Sequence, residues 1–184
     1  EIIFNYASAK NYLRQTGSLI IVEGNMDAIK MSASGIKNVV ALMGVSLSKE
    51  HLTALKKLRV PIIIMLDNDE AGLNGTIRNG DILYQEGIET QVIRLSGAKD
   101  PDEYIRTFGV EALKENIAHP WKYLDFKINY LKQNKDLNSA SDLVEFIKEV
   151  SELIKNEDEL TKDVLVTKIA KDNNLDANFL KTEF

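Results

Sequence analysis

Apolar residues recur along this chain in two rhythms. Leu19-Ile20-Ile21-Val22, Val39-Val40-Ala41-Leu42 and Ile62-Ile63-Ile64-Met65-Leu66 are short unbroken runs rich in β-branched residues. Thr90-Gln91-Val92-Ile93-Arg94-Leu95 is a fourth, less apolar and so nearer an edge. Runs of this kind suit strands covered on both faces, and Pro61 stands at a strand start, where a missing N–H does least harm. Helical spacings lie between them: Met26, Ile29 and Ala33; Leu52, Leu55 and Leu58 after a Ser48 cap with Glu50 in the first turn; Leu73, Ile77 and Tyr84, with Gly87 as the stop. Strand and helix alternating in this order predict right-handed crossovers and an α/β fold with a mainly parallel four-stranded sheet flanked by helices.

From about Glu111 the strand signal disappears. Trp121, Leu124, Ile128 and Leu131 share one helical face. Leu143, Ile147, Val150 and Ile154 share another, capped from Ser139 to Ser141; Val164, Leu165 and Ile169 form a third, and Asp176 caps a last short helix over Ala177 to Leu180. These predict a C-terminal helical bundle. The division expected is 1–17 as the remnant of a preceding subdomain or linker, 18–110 as the α/β domain, and 111–184 as the helical subdomain.

Composition narrows the chemistry. The 184 residues carry a net charge of −5 and no cysteine. Thiol catalysis, thiolate metal sites and disulfides are therefore excluded for this sequence. An acidic chain does not hold nucleic acid by bulk positive charge, so any such contact is local or shared with further chain. No apolar run is long enough to cross a bilayer, and the first residues do not read as a secretory signal. With Glu1 in place of Met, the sequence is expected to be a piece of something longer.

Ligands of open parallel sheets bind beyond the carboxyl ends of the strands, and there the carboxylates gather. Glu23-Gly24 follows the first run, with Asp27 four residues past Glu23; Asp67-Asn68-Asp69 follows the third; Asp100-Pro101-Asp102 follows the fourth. Residues i and i+2 of extended chain point the same way, so Asp67 and Asp69 can converge. Gly24 leaves bare backbone beside Glu23. Like charges crowded together stay partly protonated or hold a cation. Oxygen ligands without His or Cys select a hard ion, Mg²⁺ or Mn²⁺, suited to phosphoryl chemistry. Singly, each motif is ordinary turn or helix-cap chemistry; together, at the ends of strands in one sheet, they indicate a site.

Leu-Ile-Ile-Val-Glu-Gly-Asn-Met-Asp over 19–27 and Ile-Ile-Ile-Met-Leu-Asp-Asn-Asp-Glu-Ala-Gly over 62–72 resemble the two signatures of the Toprim domain, shared by topoisomerases, primases and some nucleases. Met26-Asp27, the stretch from Ala41 to Leu52, Ala71-Gly72 with Arg78 six residues on, and Asp100-Pro101-Asp102-Glu103-Tyr104 resemble the bacterial DnaG-type primases in particular. That resemblance implies a role for Glu23 in acid/base chemistry or metal coordination. It implies metal binding by Asp67 and Asp69, with help from Asp100 and Asp102 and more than one ion. Asp27 is expected to support the site from behind, and Arg78 to support it or contact phosphate. Asn68 stands where the family usually has glycine, Asn25 where an aromatic is common, and Val45-Ser46 where a threonine is frequent.

The resemblance also implies an activity, the metal-dependent synthesis of short RNA primers on single-stranded DNA from ribonucleoside triphosphates, in the cytoplasm at the nucleoid. The zinc domain, the basic subdomain ahead of Toprim, except for a remnant over 1–17 with Lys10 and Arg14, and the C-terminal helicase-binding domain of that family are expected to lie outside this sequence. The replicative helicase is therefore expected to be met through a domain outside it, and the piece alone is expected to be weak or inactive. The alternatives are a Toprim nuclease or topoisomerase piece, and a non-catalytic module that docks a replication partner through the helical tail. Lys56, Lys57 and Arg59 read as cations at a helix C-terminus. His51 and His119 read as surface or packing residues, and Trp121, with Tyr123 and Tyr130 near it, reads as core packing.

Overall fold

The three unbroken apolar runs form strands covered on both faces, as such runs require. The computed structural model describes residues 3–44, 46–133 and 135–181, with the side chains of Phe179 and Lys181 left aside; Glu1 and Val45 fall outside these. Two compact units divide the chain, Glu1–Tyr123 and Leu124–Phe184. The first holds α1 (Tyr6–Lys10), α2 (Leu13–Thr16), β1 (Leu19–Val22), α3 (Asn25–Ala33), β2 (Val39–Ala41), α4 (Lys49–Lys56), β3 (Ile62–Ile64), α5 (Glu70–Gln85), β4 (Thr90–Val92), α6 (Pro101–Phe108), α7 (Val110–Ala118) and β5 (Trp121–Lys122). Helix α8 (Tyr123–Lys132) follows, then α9 (Ala140–Ile154), α10 (Glu159–Asn173) and α11 (Ala177–Lys181).

Among the described residues the sheet has five strands in the order β2-β1-β3-β4-β5. The first four are parallel, with Ile20 beside Val39 and Ile63, and Ile63 beside Gln91. β5 runs antiparallel to β4, pairing Lys122 with Gln91 and Trp121 with Val92. The sequence predicts only four strands, because a two-residue strand has no period and Trp121 falls in phase with the helical stripe after it. Trp121 is in fact 53% exposed, while Tyr123 is buried.

Alternate strand residues feed two cores. Leu19, Ile21, Ile62 and Ile64 pack with Leu55 of α4 and Leu83 of α5. Ile20, Val22, Ile63 and Met65 pack with Ala28 and Met31 of α3 and Leu113 of α7. Each fully buried aliphatic side chain contributes about 1.5–3 kcal/mol, so the two faces together dominate the stability of this unit. Residues near the start join the first core through Ile3, Ala9 and Leu13. Phe4 exchanges backbone hydrogen bonds with Ala41 at 2.9 and 3.2 Å, closing the β2 edge.

Two helix faces differ from expectation. In α3 the buried side is Asp27, Ala28 and Met31, whereas Met26 and Ile29 are 67% and 46% exposed. The periodicity misleads because a carboxylate takes an inward position for the site. In α5 the buried side is Gly72, Gly75, Thr76, Asn79, Gly80 and Leu83 rather than Leu73, Ile77 and Tyr84. Small residues let this helix press close. A Cβ on Gly80 would stand 2.0 Å from the Tyr123 ring. The Tyr123 hydroxyl donates to Asp81 Oδ1 at 2.7 Å and lies 3.0 Å from the Ile77 carbonyl oxygen. Burial, then Asp81, pushes that hydroxyl's pKa well up. Helix α4 begins as expected at Ser48, whose Oγ accepts from His51 N while His51 Nδ1 accepts from Ser48 N. His51 is thus a buried cap partner, not a surface residue.

The second unit has its own core of Phe146, Ile147, Val150 and Ile154 from α9, Val166, Ile169 and Ala170 from α10, and Leu180. Leu124, Ile128, Leu131 and Leu143 pack against it partly buried, as the stripes predict. Val164, grouped with Leu165 and Ile169 by spacing, is 58% exposed. Asp176 Oδ1 accepts from Asn178 N at 2.7 Å and so starts α11 as expected. Among the described residues no helix is long and apolar enough to cross a membrane.

Gly80→Ala is expected to cost about 1–3 kcal/mol, the usual range for overpacking a closed site. Urea unfolding would measure it, and a loss below a few tenths of a kcal/mol would show that Tyr123 can move aside.

Candidate metal and phosphate site

The chain leaves β1 for β2 on one side, then crosses to β3 on the other, so β1 and β3 flank the topological switch point of the sheet. Glu23 follows β1 and Asp67 follows β3, which puts both at the crevice where open α/β sheets bind ligands. Glu23 Oε2 and Asp67 Oδ1 are each buried without a hydrogen-bond partner. An oxygen lone pair taken from water and given no donor costs roughly 1–3 kcal/mol, more when charged.

The neighbours make this worse. Asp67 is raised from the ordinary 3.8 to about 6, by burial first and then by Glu23, Asp27, Asp100 and Asp69. Glu23 is raised by burial, then by Asp69 and Asp27. Asp27, buried in the first turn of α3, is raised by burial and by Asp100 and Asp102, against a hydrogen bond from Asp102 N at 3.3 Å that lowers it. Gly24 does admit a close approach, but the group admitted is the Asp27 carboxylate, 2.9 Å from where a glycine Cβ would be.

The remaining carboxylates have structural work as well. Asp69 caps α5, accepting from Gly72 N at 2.7 Å, and Asp100 caps α6, accepting from Glu103 N at 2.7 Å. Lys99 Nζ lies 3.4 Å from Asp100 Oδ2. Asp102 pairs with Arg106 at 3.0 Å and Lys30 at 3.9 Å. Exposed pairs of that kind contribute only about 0.3–0.5 kcal/mol, so they do not lock Asp102 away. As the side chains stand, no three acidic or imidazole groups among the described residues come within one ion's reach. The acidic positions form one electrostatic neighbourhood without being gathered around a single point.

A hard cation fits this set. The two partnerless oxygens supply ligands, the donors are all carboxylate, and a positive ion removes the repulsion that raises Glu23 and Asp67. Asn68 does not occupy a positive φ. It replaces glycine by tying the loop down: its N donates to Lys99 O at 2.6 Å and its Nδ2 to Leu95 O at 3.0 Å. Arg78 Nη1 donates to Ser46 Oγ at 2.8 Å, on an exposed surface. Beside it the buried Asn79 Oδ1 accepts from Leu47 N at 2.9 Å, so the two residues together fix the loop after β2. Met43 N, at the start of that loop, donates to Glu23 O at 3.1 Å.

One residue escaped the sequence pattern. Arg94, half-buried just past β4, donates from Nη1 to Asp67 O at 2.8 Å. Burial lowers its pKa, while Asp69 and Asp67 hold it up. A charged residue inside the run Val92-Ile93-Arg94-Leu95, at the carboxyl end of a strand, was the available signal.

Fold and carboxylates together define a Toprim-like domain, and a Toprim-like family model matches residues 20–105. A second model, described as the DnaB-helicase binding domain of primase, matches residues 124–176. The DNA primase of Clostridium acetobutylicum is 36% identical over 166 residues, covering 90% of this chain and 27% of that protein. A crystal structure of Aquifex aeolicus primase, comprising zinc-binding and RNA polymerase domains, aligns with TM-score 0.75 and 26% identity over 100% of this chain and 44% of that one. A DnaG primase catalytic domain bound to ssDNA aligns with TM-score 0.76 and 22% identity over 92% of this chain and 56% of that one, which establishes likeness of fold. The chain belongs to the bacterial DnaG-type primases. It spans about a quarter of the curated relatives it matches, 27% and 25% of two of them.

The raised carboxyl groups set a pH dependence. Asp67 titrates higher folded than unfolded, so between 3.8 and about 6 the folded chain binds more protons. Metal-free stability is therefore expected to fall as pH rises through that window, and Mn²⁺ at neutral pH to restore it. Thermal unfolding with and without Mn²⁺ measures both effects. Asp67→Asn should raise the metal-free Tm at neutral pH and abolish most of the Mn²⁺ response; a metal-free Tm below wild type would contradict the repulsion described.

Proposed function

We propose that this chain is the nucleotidyl-transfer core of a primase, acting with further segments of a longer protein to synthesise RNA primers on single-stranded DNA. The observation that carries the proposal is the pair of buried, partnerless oxygens on Glu23 and Asp67 at the switch point of a Toprim-like sheet. In the reaction a 3′-hydroxyl oxygen attacks the α-phosphorus of a ribonucleoside triphosphate. The new P–O bond forms as the bond to pyrophosphate breaks, and the hydroxyl proton is lost.

Mg²⁺ or Mn²⁺, more than one ion in this reading, would be held by Glu23, Asp67 and Asp69 with Asp100 and Asp102, and would ease loss of that proton and balance charge on the departing pyrophosphate. Glu23, raised by burial, suits proton traffic at the hydroxyl. Asp27 holds the Asp102 backbone against α3. Arg78, on the exposed side of α5, would support the site or contact phosphate in this reading. The DNA-bound catalytic domain of similar fold supports the template, and such work belongs to the nucleoid in the cytoplasm. A nuclease would use the same carboxylates with water as nucleophile, so the product decides between the two.

The helical unit supports a second partner. The description of the model matching 124–176 favours a replicative helicase contact within this chain, rather than only outside it as the sequence suggested. Helix α10 has a surface for it: Val166, Ile169 and Ala170 are buried, while Leu160 and Val164, one turn apart, are 75% and 58% exposed.

Two outcomes are expected. Joined to the preceding segments of a primase relative, the chain should extend RNA on a single-stranded template, and Glu23→Gln or Asp67→Asn should lower the rate by about a hundredfold or more. Cleavage of the template without extension would favour the nuclease. Leu160→Glu with Val164→Glu should weaken binding to a DnaB-type helicase in fluorescence anisotropy; unchanged affinity would assign that contact to other parts of the longer relatives.

A further inference from the structure

One neighbouring segment makes three hydrogen bonds to the loop carrying the Asp pair. Arg94 binds the Asp67 carbonyl, Leu95 O accepts from the Asn68 side chain, and Lys99 O accepts from Asn68 N. The same Asp67 carbonyl lies against Gly72, where a Cβ would stand 2.0 Å from the oxygen. One peptide group thus meets both a guanidinium and a bare Cα. The carboxylate on the same residue keeps an oxygen buried and free.

Arg94 is well suited to this because of what it leaves alone. It lies within electrostatic range of Asp67 and Asp69, yet it spends Nη1 on a carbonyl and not on a carboxylate. A guanidinium that paired with the carboxylates would compete with an ion for the same oxygens. Bound to the backbone, it fixes where the carboxylate starts while its lone pairs stay available.

We propose that Arg94 is a positioning residue of the metal site, raising affinity for a divalent cation by pinning the Asp67 peptide; this rests on the metal reading of Glu23 and Asp67. Two effects oppose each other. A positive charge near the site repels a cation, which predicts tighter binding once it is removed. Loss of the pin lets Asp67 wander, which predicts weaker binding. Metal coordination tolerates only about 0.2 Å of error, whereas repulsion from a half-exposed charge is screened by water and salt. The pin therefore wins.

The test is Mn²⁺ binding to the 184-residue chain, followed by electron paramagnetic resonance of the free ion, with no nucleotide present. Arg94→Met should bind Mn²⁺ roughly tenfold more weakly or worse, the usual effect of removing a group that orients a ligand. Gly72→Ala, whose Cβ would push on the same carbonyl, should do likewise. Arg94→Lys keeps the charge and one donor, and should stay within about threefold of wild type. Circular dichroism identifies any variant that fails to fold, and Arg94→Lys then carries the test. Binding by folded Arg94→Met equal to or tighter than wild type overturns the proposal, as does a tenfold loss in folded Arg94→Lys. Wild-type chain that binds no Mn²⁺ overturns the metal reading and this proposal together. Wild-type binding that Asp67→Asn abolishes and Arg94→Met leaves intact overturns this proposal alone.

Discussion

Two carboxylates just past the ends of neighbouring parallel strands, each with an oxygen out of water and without a donor, set the terms for the whole carboxyl edge of this sheet. Glu23 and Asp67 repel one another, both are repelled by Asp27 and Asp69, and Asp67 is repelled by Asp100 as well. Repulsion of that kind pushes strand ends apart unless something holds them. The holding is done by backbone. Gly72 lets α5 sit directly on the Asp67 carbonyl, Asp69 caps the same helix, and the segment after β4 grips the loop at Arg94, Leu95 and Lys99. The two apolar cores below absorb the remaining cost, since a few buried isoleucines outweigh one strained carboxylate.

The acidic positions were legible in the sequence because charge at the end of an apolar run is rare and repeated three times. Their order, strand by strand, was legible too. What the sequence hid was division of labour. Asp69 and Asp100 read equally as helix caps and as ligands, and the structure has them capping. Asp27 sat in a helix whose periodicity pointed Met26 and Ile29 inward, because apolar spacing cannot register a carboxylate buried for a site. Arg94 was passed over inside a strand, where a single charge looks like an edge residue.

The same blindness to small features explains the errors of fold. A glycine-lined face on α5 carries no apolar signal, so Leu73 and Ile77 stood in for it, although the buried side is built from Gly72, Gly75 and Gly80. Trp121 followed the phase of the helix after it and proved to belong to a two-residue strand. The helical unit fared better, since four of its stripe positions on α9 repeat without interruption, and Ile147, Val150 and Ile154 are buried as read.

The rims of the sheet are finished differently from its middle. On one side Phe4 closes β2 with a single antiparallel bridge; on the other β5 ends the sheet after two residues, one of them lysine. A parallel sheet left open would offer a row of unpaired amides to any other chain, the template on which aggregates grow. Here neither rim presents a long ladder. The cost of that protection is a few residues at each flank, and the return is a domain that can be carried on a much longer chain, and crowded beside its own copies during synthesis, without its sheets adding to one another.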